Sequence, residues 1–271
     1  MRLLLLLVII PSIFGSEVIW KNGPTDFLKE IFKITEIKNV DDLESAISQS
    51  SSKWLRPKFM EKWHGYSFLD KHKKEELTKL IKASDLAKER PPKQKHYNAA
   101  IIIGYTTERI QKRINYLIKL CEQGIVFDKI YLLSATRNFK ISTEVGQSAV
   151  SSLSKKNIPI EDLWDQASKS ELFKEVPIEI IKIHKISNNF GVTSEKLLKT
   201  VMERYNGETK GKKILLVADA RSAGSKSSLA EKVLEPYEIE LETVWQGCSI
   251  DNESIESILV GIAKCLLHLR R

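Results

Sequence analysis

Arginines recur at points where alternating strands and helices could gather them. "AAIIIGYTTERIQKRINYL" (99–117) runs from an apolar strand through Gly104 into a helix pattern carrying Arg109 and Arg113. "SATRNF" carries Arg137 after a second apolar run, and "DARSAGSKSS" carries Arg221 after another. A guanidinium presents N–H donors in a planar fork that matches phosphate or carboxylate oxygens. Arg109 lies in the first helical turn, where a cation opposes the macrodipole. That local cost implies a compensating anion. Arg113 lies one turn further on, and Glu108, Glu122 or the N-terminal segment are alternative partners for both arginines. Thr106, Thr107, Ser134 and Thr193 occupy the same class of loop or helix start and could donate hydrogen bonds to an anion; Glu195 shares the last of these helix starts. The acid/base candidates are Glu144 and Asp219. Asp219 ends the run "ILLVAD", a position that suits a carboxylate working on a ligand. Glu144 and Glu195 fall early in helix patterns, where compensating the dipole is an equally good use for them.

Several chemistries are disfavoured by spacing. "GYTTER" has one glycine and lacks the G-x-G-x-x-G dinucleotide fingerprint, which argues against NAD or FAD. "AGSKSS" resembles the end of a phosphate loop, but Ser225 separates Gly224 from Lys226 and the upstream glycine is missing. No G-x-S-x-G elbow is present. The histidines, His64, His72 and His184 among them, match no metal-ligand spacing. No metal site is expected, and no cofactor is identified.

The elements that must position these residues follow a clear rhythm. "NAAIIIG", "FDKIYLLSAT", "VPIEIIKIH", "KKILLVADA" and "IELETVWQG" read as strands, separated by amphipathic segments such as "ERIQKRINYLIKLCEQG" and "TSEKLLKTVMERYNG". "STEVGQSAVSSLSKKN" is a weaker helix pattern. Alternation of this length predicts right-handed crossovers and an α/β fold: a mostly parallel five-stranded sheet with helices on both faces. The continuous apolar runs suit strands buried on both sides. The last pattern, "NESIESILVGIAKCLLHLRR", is expected to continue the same domain, capped by Asp251 or Asn252. Ligands of such sheets bind beyond the strands' carboxyl ends, which is where the arginine-bearing loops fall.

Upstream the pattern is helical. "DDLESAISQ" has Asp41 or Asp42 near its start, and "KKEELTKLIKASDLAKE" spaces Leu77, Leu80 and Ile81 for one face. The aromatic segment holding Trp54 and Trp63 reads as packing, with ligand stacking as the alternative. "KERPPKQKHY" looks like a basic linker broken by Pro91 and Pro92. The expected organisation is a signal peptide over 1–16, a helical N-terminal extension with linker over 17–96, and the α/β domain over 97–271. The signal-peptide reading rests on Arg2, the apolar run Leu3–Ile10 and the small residues Gly15 and Ser16. It predicts an exported protein cleaved near Gly15 or Ser16, with an uncleaved anchor as the alternative. Of Cys121, Cys248 and Cys265, an oxidising compartment could pair two. Cys121 and Cys265 read as core residues, with Cys248 the most accessible.

The net charge of +8 favours anionic partners. An anionic small molecule is the expected ligand, and a basic surface also suits peripheral contact with an acidic membrane face. No Arg/Gly tract or aromatic-interleaved basic strand appears, so nucleic acid is not expected. No protein partner can be named.

Residues 97–250 resemble the SanA/YdcF/ElyC-like family of bacterial envelope-associated domains of unknown function. The resemblance lies in the strand ending at Gly104 followed by Arg109 or Arg113, in "GIVFDKIYLLSATR" with Gly124 and Ser134, in Glu144, in "VTSEK" with Thr193 and Glu195, and in "ILLVADARS" with Arg221. Lys196 stands where asparagine is usual, Ala135 and Thr136 replace a glycine pair, and a histidine near Arg221 is missing. The resemblance implies a Rossmann-like fold, an envelope location and a pocket lined by these loops. It supplies no reaction. The readings left open are an exported protein acting on or binding a phosphorylated or carboxylated metabolite, a non-catalytic envelope binding module, and a small-molecule transferase using a nucleotide-type donor.

Overall fold

The computed structural model describes residue 20 and residues 23–55, 69–104, 107–136, 162, 164–165, 171–184, 190–205, 207–247 and 254–269. The chain divides into two compact units, one formed by 87–249 and the other by 1–86 with 250–271.

The first of these is built on five strands: β1 (Ala99–Gly104), β2 (Ile130–Thr136), β3 (Ile178–His184), β4 (Lys213–Asp219) and β5 (Glu240–Gln246). All pairings are parallel, in the order β3-β2-β1-β4-β5. Strand order reverses between β1 and β4, so the topological switch point lies at their carboxyl ends. Ile102 pairs with Val217, and Gly104 pairs with Ser134. The register therefore brings Gly104, Ser134 and Asp219 to one rim.

Alternation of side chains sorts the core into two layers. Ala100 and Ile102 of β1 join Ile114 and Leu117 of the helix Thr107–Glu122 on one face. Ala99, Ile101 and Ile103 join Leu197, Val201, Leu229 and Val233 on the other. Those residues come from the helices Phe190–Arg204 and Ala223–Leu234. Continuous apolar runs are thus required because both faces of β1 are covered. Gly124, at φ +80°, ends the first of these helices, and the Ile125 N–H returns to the Leu120 carbonyl at 3.0 Å.

The run read as a linker is bound to this unit. The Arg90 N–H donates to the Trp245 carbonyl at 2.9 Å, and the Trp245 indole donates to the Lys88 carbonyl at 3.0 Å. The Arg90 guanidinium lies 5.2 Å from the centre of the Trp245 ring. A Cβ on Gly247 would come within 2.9 Å of the Ala87 carbonyl oxygen. Residues 87–93 therefore strap the free edge of β5, where unpaired backbone groups would otherwise face solvent.

Among the described residues the α-helices are, in chain order, α1 (Asp26–Ile34), α2 (Leu43–Trp54), α3 (Lys71–Ala83), α4 (Thr107–Glu122), α5 (Phe190–Arg204), α6 (Ala223–Leu234) and α7 (Ser254–Leu269). The second unit packs α1, α2, α3 and α7. Asp42 caps α2, accepting from the Ser45 N–H at 2.8 Å. Ile258, Leu259, Ile262 and Leu266 of α7 are buried, and Glu256 pairs with Lys74 of α3 at 2.8 Å. This division falls at 86/87, where the sequence pattern placed the domain limit at 96/97, and it groups the last helix with the N-terminal helices. Periodicity shows that α7 has an apolar face but says nothing of which surface receives it. Trp54 is fully buried, as the packing interpretation of the aromatic segment requires; Trp63 lies outside the described residues. Cys121 and Cys265 are free thiols, and burial pushes the Cys121 thiol up to about 11. Among the described residues no helix is long and apolar enough to cross a membrane.

Candidate functional site at the switch point

Gly104 ends β1 because a side chain would not fit there. A Cβ on it would lie 1.9 Å from Cγ1 of Ile110, in the first turn of α4. Gly104 lets α4 close onto the strand, and Ile110 fills the space beside it.

One turn beyond Ile110, Arg113 is buried, with 4% of its side chain exposed. Its Nη2 donates to the Asp219 carboxylate, at the end of β4, and to Ser222 Oγ at 3.3 Å. The Asp219 carboxylate also accepts the Ser222 N–H at 3.1 Å. The partner of Arg113 is Asp219 because β1 and β4 are neighbours, so a helix leaving one reaches across the end of the other. Burial alone would raise the Asp219 carboxyl. The guanidiniums of Arg113 and Arg109, with hydrogen bonds from Arg113 and Ser222, overcome that and hold it at about 2. A carboxylate this acidic is a poor general base at neutral pH. Its geometry suits orienting Arg113, so the acid/base role expected of Asp219 gives way to a positioning one.

Ser222 is the residue that sequence reasoning missed. It stands at the N-cap of α6, a place its type predicts, yet its side chain makes no capping bond. The hydroxyl accepts from Arg113 instead. The first intrahelical bond of α6 runs from the Lys226 N–H to the Ser222 carbonyl at 3.0 Å. The N–H groups of Ala223, Gly224 and Ser225 have no acceptor among the described residues. Arg113 Nε is likewise buried without a hydrogen-bond partner. Open donors at a helix start and a buried guanidinium make an electropositive lining with hydrogen-bonding capacity left over. The spacing Asp219-x-x-Ser222 before a helix was the available signal.

The other expected residues divide. Arg109 acts on Asp219 electrostatically, which puts it at this rim. Arg221 is half-buried in the short loop between Asp219 and Ser222. Ser134, half-buried, stands beside Gly104 in register. Glu195 lies on α5 in a 2.8 Å pair with Lys199, and its side chain is 44% exposed. That makes it a surface helix pair, apart from the cluster. Thr107 opens α4 and Thr193 lies in the first turn of α5. Thr106, Arg137 and Glu144 lie outside the described residues. Of Arg109, Arg137 and Arg221, the three arginines expected to converge, Arg109 and Arg221 stand at this rim and Arg137 lies outside the described residues; Arg113 forms the buried centre. Lys226 of α6 donates to Ser194 of α5 at 2.7 Å.

A hollow of 330 Å³ opens at the opposite rim, lined by Asn98, Asp128, Lys129, Tyr131, Tyr205 and Lys212 among others. Its charged groups are of both signs, and two are paired: Lys129 with Glu179 at 2.8 Å and Asp128 with His96 at 2.6 Å. Among the described residues no group of three or more His, Cys, Asp or Glu side chains could hold a metal ion. Comparison of the chain with protein-family models and with curated proteins found no match.

Proposed function

We propose that this is an exported, SanA/YdcF/ElyC-like α/β protein that binds an anionic small molecule at the switch point between β1 and β4. The reading rests on one observation above all: Arg113 is buried there with Nε unfilled, beside three open N–H groups at the start of α6. Asp219 neutralises Arg113, Arg109 acts on the same carboxylate, and Arg221 adds a cation to the short loop before α6. An anion would occupy the donors that the protein itself leaves open. The export part of the reading rests on the N-terminal sequence pattern. The family part rests on the order of the loop residues.

The test is a thermal-shift screen of the mature chain against anionic metabolites, repeated on Arg109→Ala. Binding is expected to raise the melting temperature of the parent chain and to weaken by about tenfold in the variant, the value of one charge-assisted hydrogen bond. A screen in which no anion stabilises the parent removes the reading. The alternative of a protein-binding module has lost one of its two tryptophans, since Trp54 is wholly buried.

A further inference from the structure

The hollow at the amino-terminal rim holds charge that the protein leaves unused, and we propose that it binds a small zwitterion of the α-amino acid class. Four charged side chains line it: Asp128, Lys129, Glu208 and Lys212. Asp128 and Lys129 are fixed from behind. The Asp128 carboxylate lies 2.6 Å from His96 and accepts from the Asn98 amide at 2.9 Å, and Lys129 pairs with Glu179. The side chains of Glu208 and Lys212 have no ion-pair or hydrogen-bond partner among the described residues. Lys212 acts on Asp128 electrostatically, yet the two form no ion pair. Two carboxylates and two ammonium groups sum to zero, so the hollow favours neither a net anion nor a net cation. The open pair favours a ligand with the opposite arrangement, its carboxylate against Lys212 and its ammonium against Glu208 with Asp128 alongside.

The backbone carrying the open charges is anchored. Gly207, at φ +121°, turns the chain out of α5. The Gly211 N–H donates to the Glu238 carbonyl at 2.9 Å, and the Lys212 carbonyl accepts the Glu240 N–H at 2.9 Å. Lys210 is drawn away to the Glu238 carboxylate at 2.9 Å, which leaves Lys212 as the cation of this turn that faces the hollow. Tyr131 and Tyr205 supply the wall. Tyr131 is buried and Tyr205 half-buried. Burial raises both phenols, so each keeps its proton and can donate to a carboxylate. The Tyr205 phenol is acted on by Tyr131, Asp128 and Lys129, an independent sign that these groups surround one space. A volume of 330 Å³ stands at the low end for ligand cavities and admits one small molecule, whose apolar part would lie against the tyrosine rings.

The full chain is titrated at constant ionic strength with L-phenylalanine, phenethylamine and 3-phenylpropionate, followed through its amide NMR signals. Phenylalanine is expected to bind at least about threefold more tightly than either analogue, the value of one partly screened ion pair, since each analogue lacks one charge. It should also shift the signals of Tyr205, Gly207 and Lys212. Lys212→Met should bring phenylalanine down to the affinity of phenethylamine and leave phenethylamine itself unchanged. Glu208→Gln should do the same relative to 3-phenylpropionate. Glu208 is exposed and Lys212 half-buried, so both variants are expected to fold. Either analogue binding as tightly as phenylalanine, shifts confined to other parts of the chain, or no binding at all would overturn the proposal. Glucose binding in the hollow more tightly than phenylalanine would assign it to a neutral sugar and overturn it equally. None of these outcomes bears on anion binding at the switch point.

Discussion

Cations meet carboxylates at both rims of the sheet, and the two meetings differ in their access to water. At the amino-terminal rim, Glu179 is shared by Lys129 at 2.8 Å and Arg204 at 2.9 Å, with the three side chains 24%, 32% and 50% exposed. His96 and Asp128 are 2.6 Å apart and more than half exposed. At the carboxyl-terminal rim, Arg113 is 4% and Asp219 18% exposed. Solvent screens the first set, so close distances there carry little energy. The second is held in a low dielectric, where each charge depends on the other. A count of ion pairs would rank the amino-terminal rim higher. Burial reverses the ranking and marks the switch point as the place where charge is structurally committed.

The comparison is tested most severely by breaking the buried pair from one side. Asp219→Ala leaves Arg113 buried without its carboxylate and should cost about 3–5 kcal/mol of stability, measured by urea denaturation. Replacing Arg113 by Met and Asp219 by Leu together should recover most of that loss, since the penalty comes from the orphaned charge. A single variant as stable as the parent would show that the two rims are electrostatically alike.

Gly104→Ala probes the packing that brings α4 over the end of β1. Its Cβ would overlap the β-branched Ile110, and the expected loss is about 1–3 kcal/mol. The double variant with Ile110→Ala should relieve the clash, which a thermodynamic cycle would detect as strong coupling.

The pH profile separates two half-buried carboxyls. Asp219 is held at about 2, below its ordinary 3.8. Its contribution is therefore present above pH ~4 and is lost as pH falls toward 2. Glu231 on α6 is pushed up to about 7 by burial, against the lowering effects of Ser227 and Arg90. That sign is opposite: the folded state binds the proton more tightly, so stability is lost as pH rises from about 4.5 through 7. Glu231→Gln should flatten this upper limb and leave the acid limb unchanged, as read from melting temperatures between pH 3 and 8. The smallest effect is expected at the amino-terminal rim, where Lys129→Ala should cost under about 1 kcal/mol, less at high salt.

Much of the scaffold was legible from local pattern. "AAIIIG" and "KILLVAD" are strands because β-branched and apolar residues run without interruption, and both are buried on two faces. Gly124 closes α4 because the chain must turn there with positive φ. The site was legible only in part. Asp219 and Arg113 were singled out separately, one as a base and the other as an anion ligand. Their partnership joins residues 106 positions apart, and no periodicity reports a contact across neighbouring strands. The strap at 87–93 was hidden for a related reason. Two prolines and a run of charge look the same in a free linker as in a segment bonded to a sheet edge.

The sequence alone determined which segments become strands and helices, because those choices depend on side-chain spacing and local backbone preference. It also determined the sign of the charge and where the arginines enter the chain. Only the tertiary structure decided that α7 joins the N-terminal helices, that Gly104 serves packing, and that Asp219 anchors Arg113. These depend on which surfaces exclude water from one another, and exclusion of water is a property of the assembled fold.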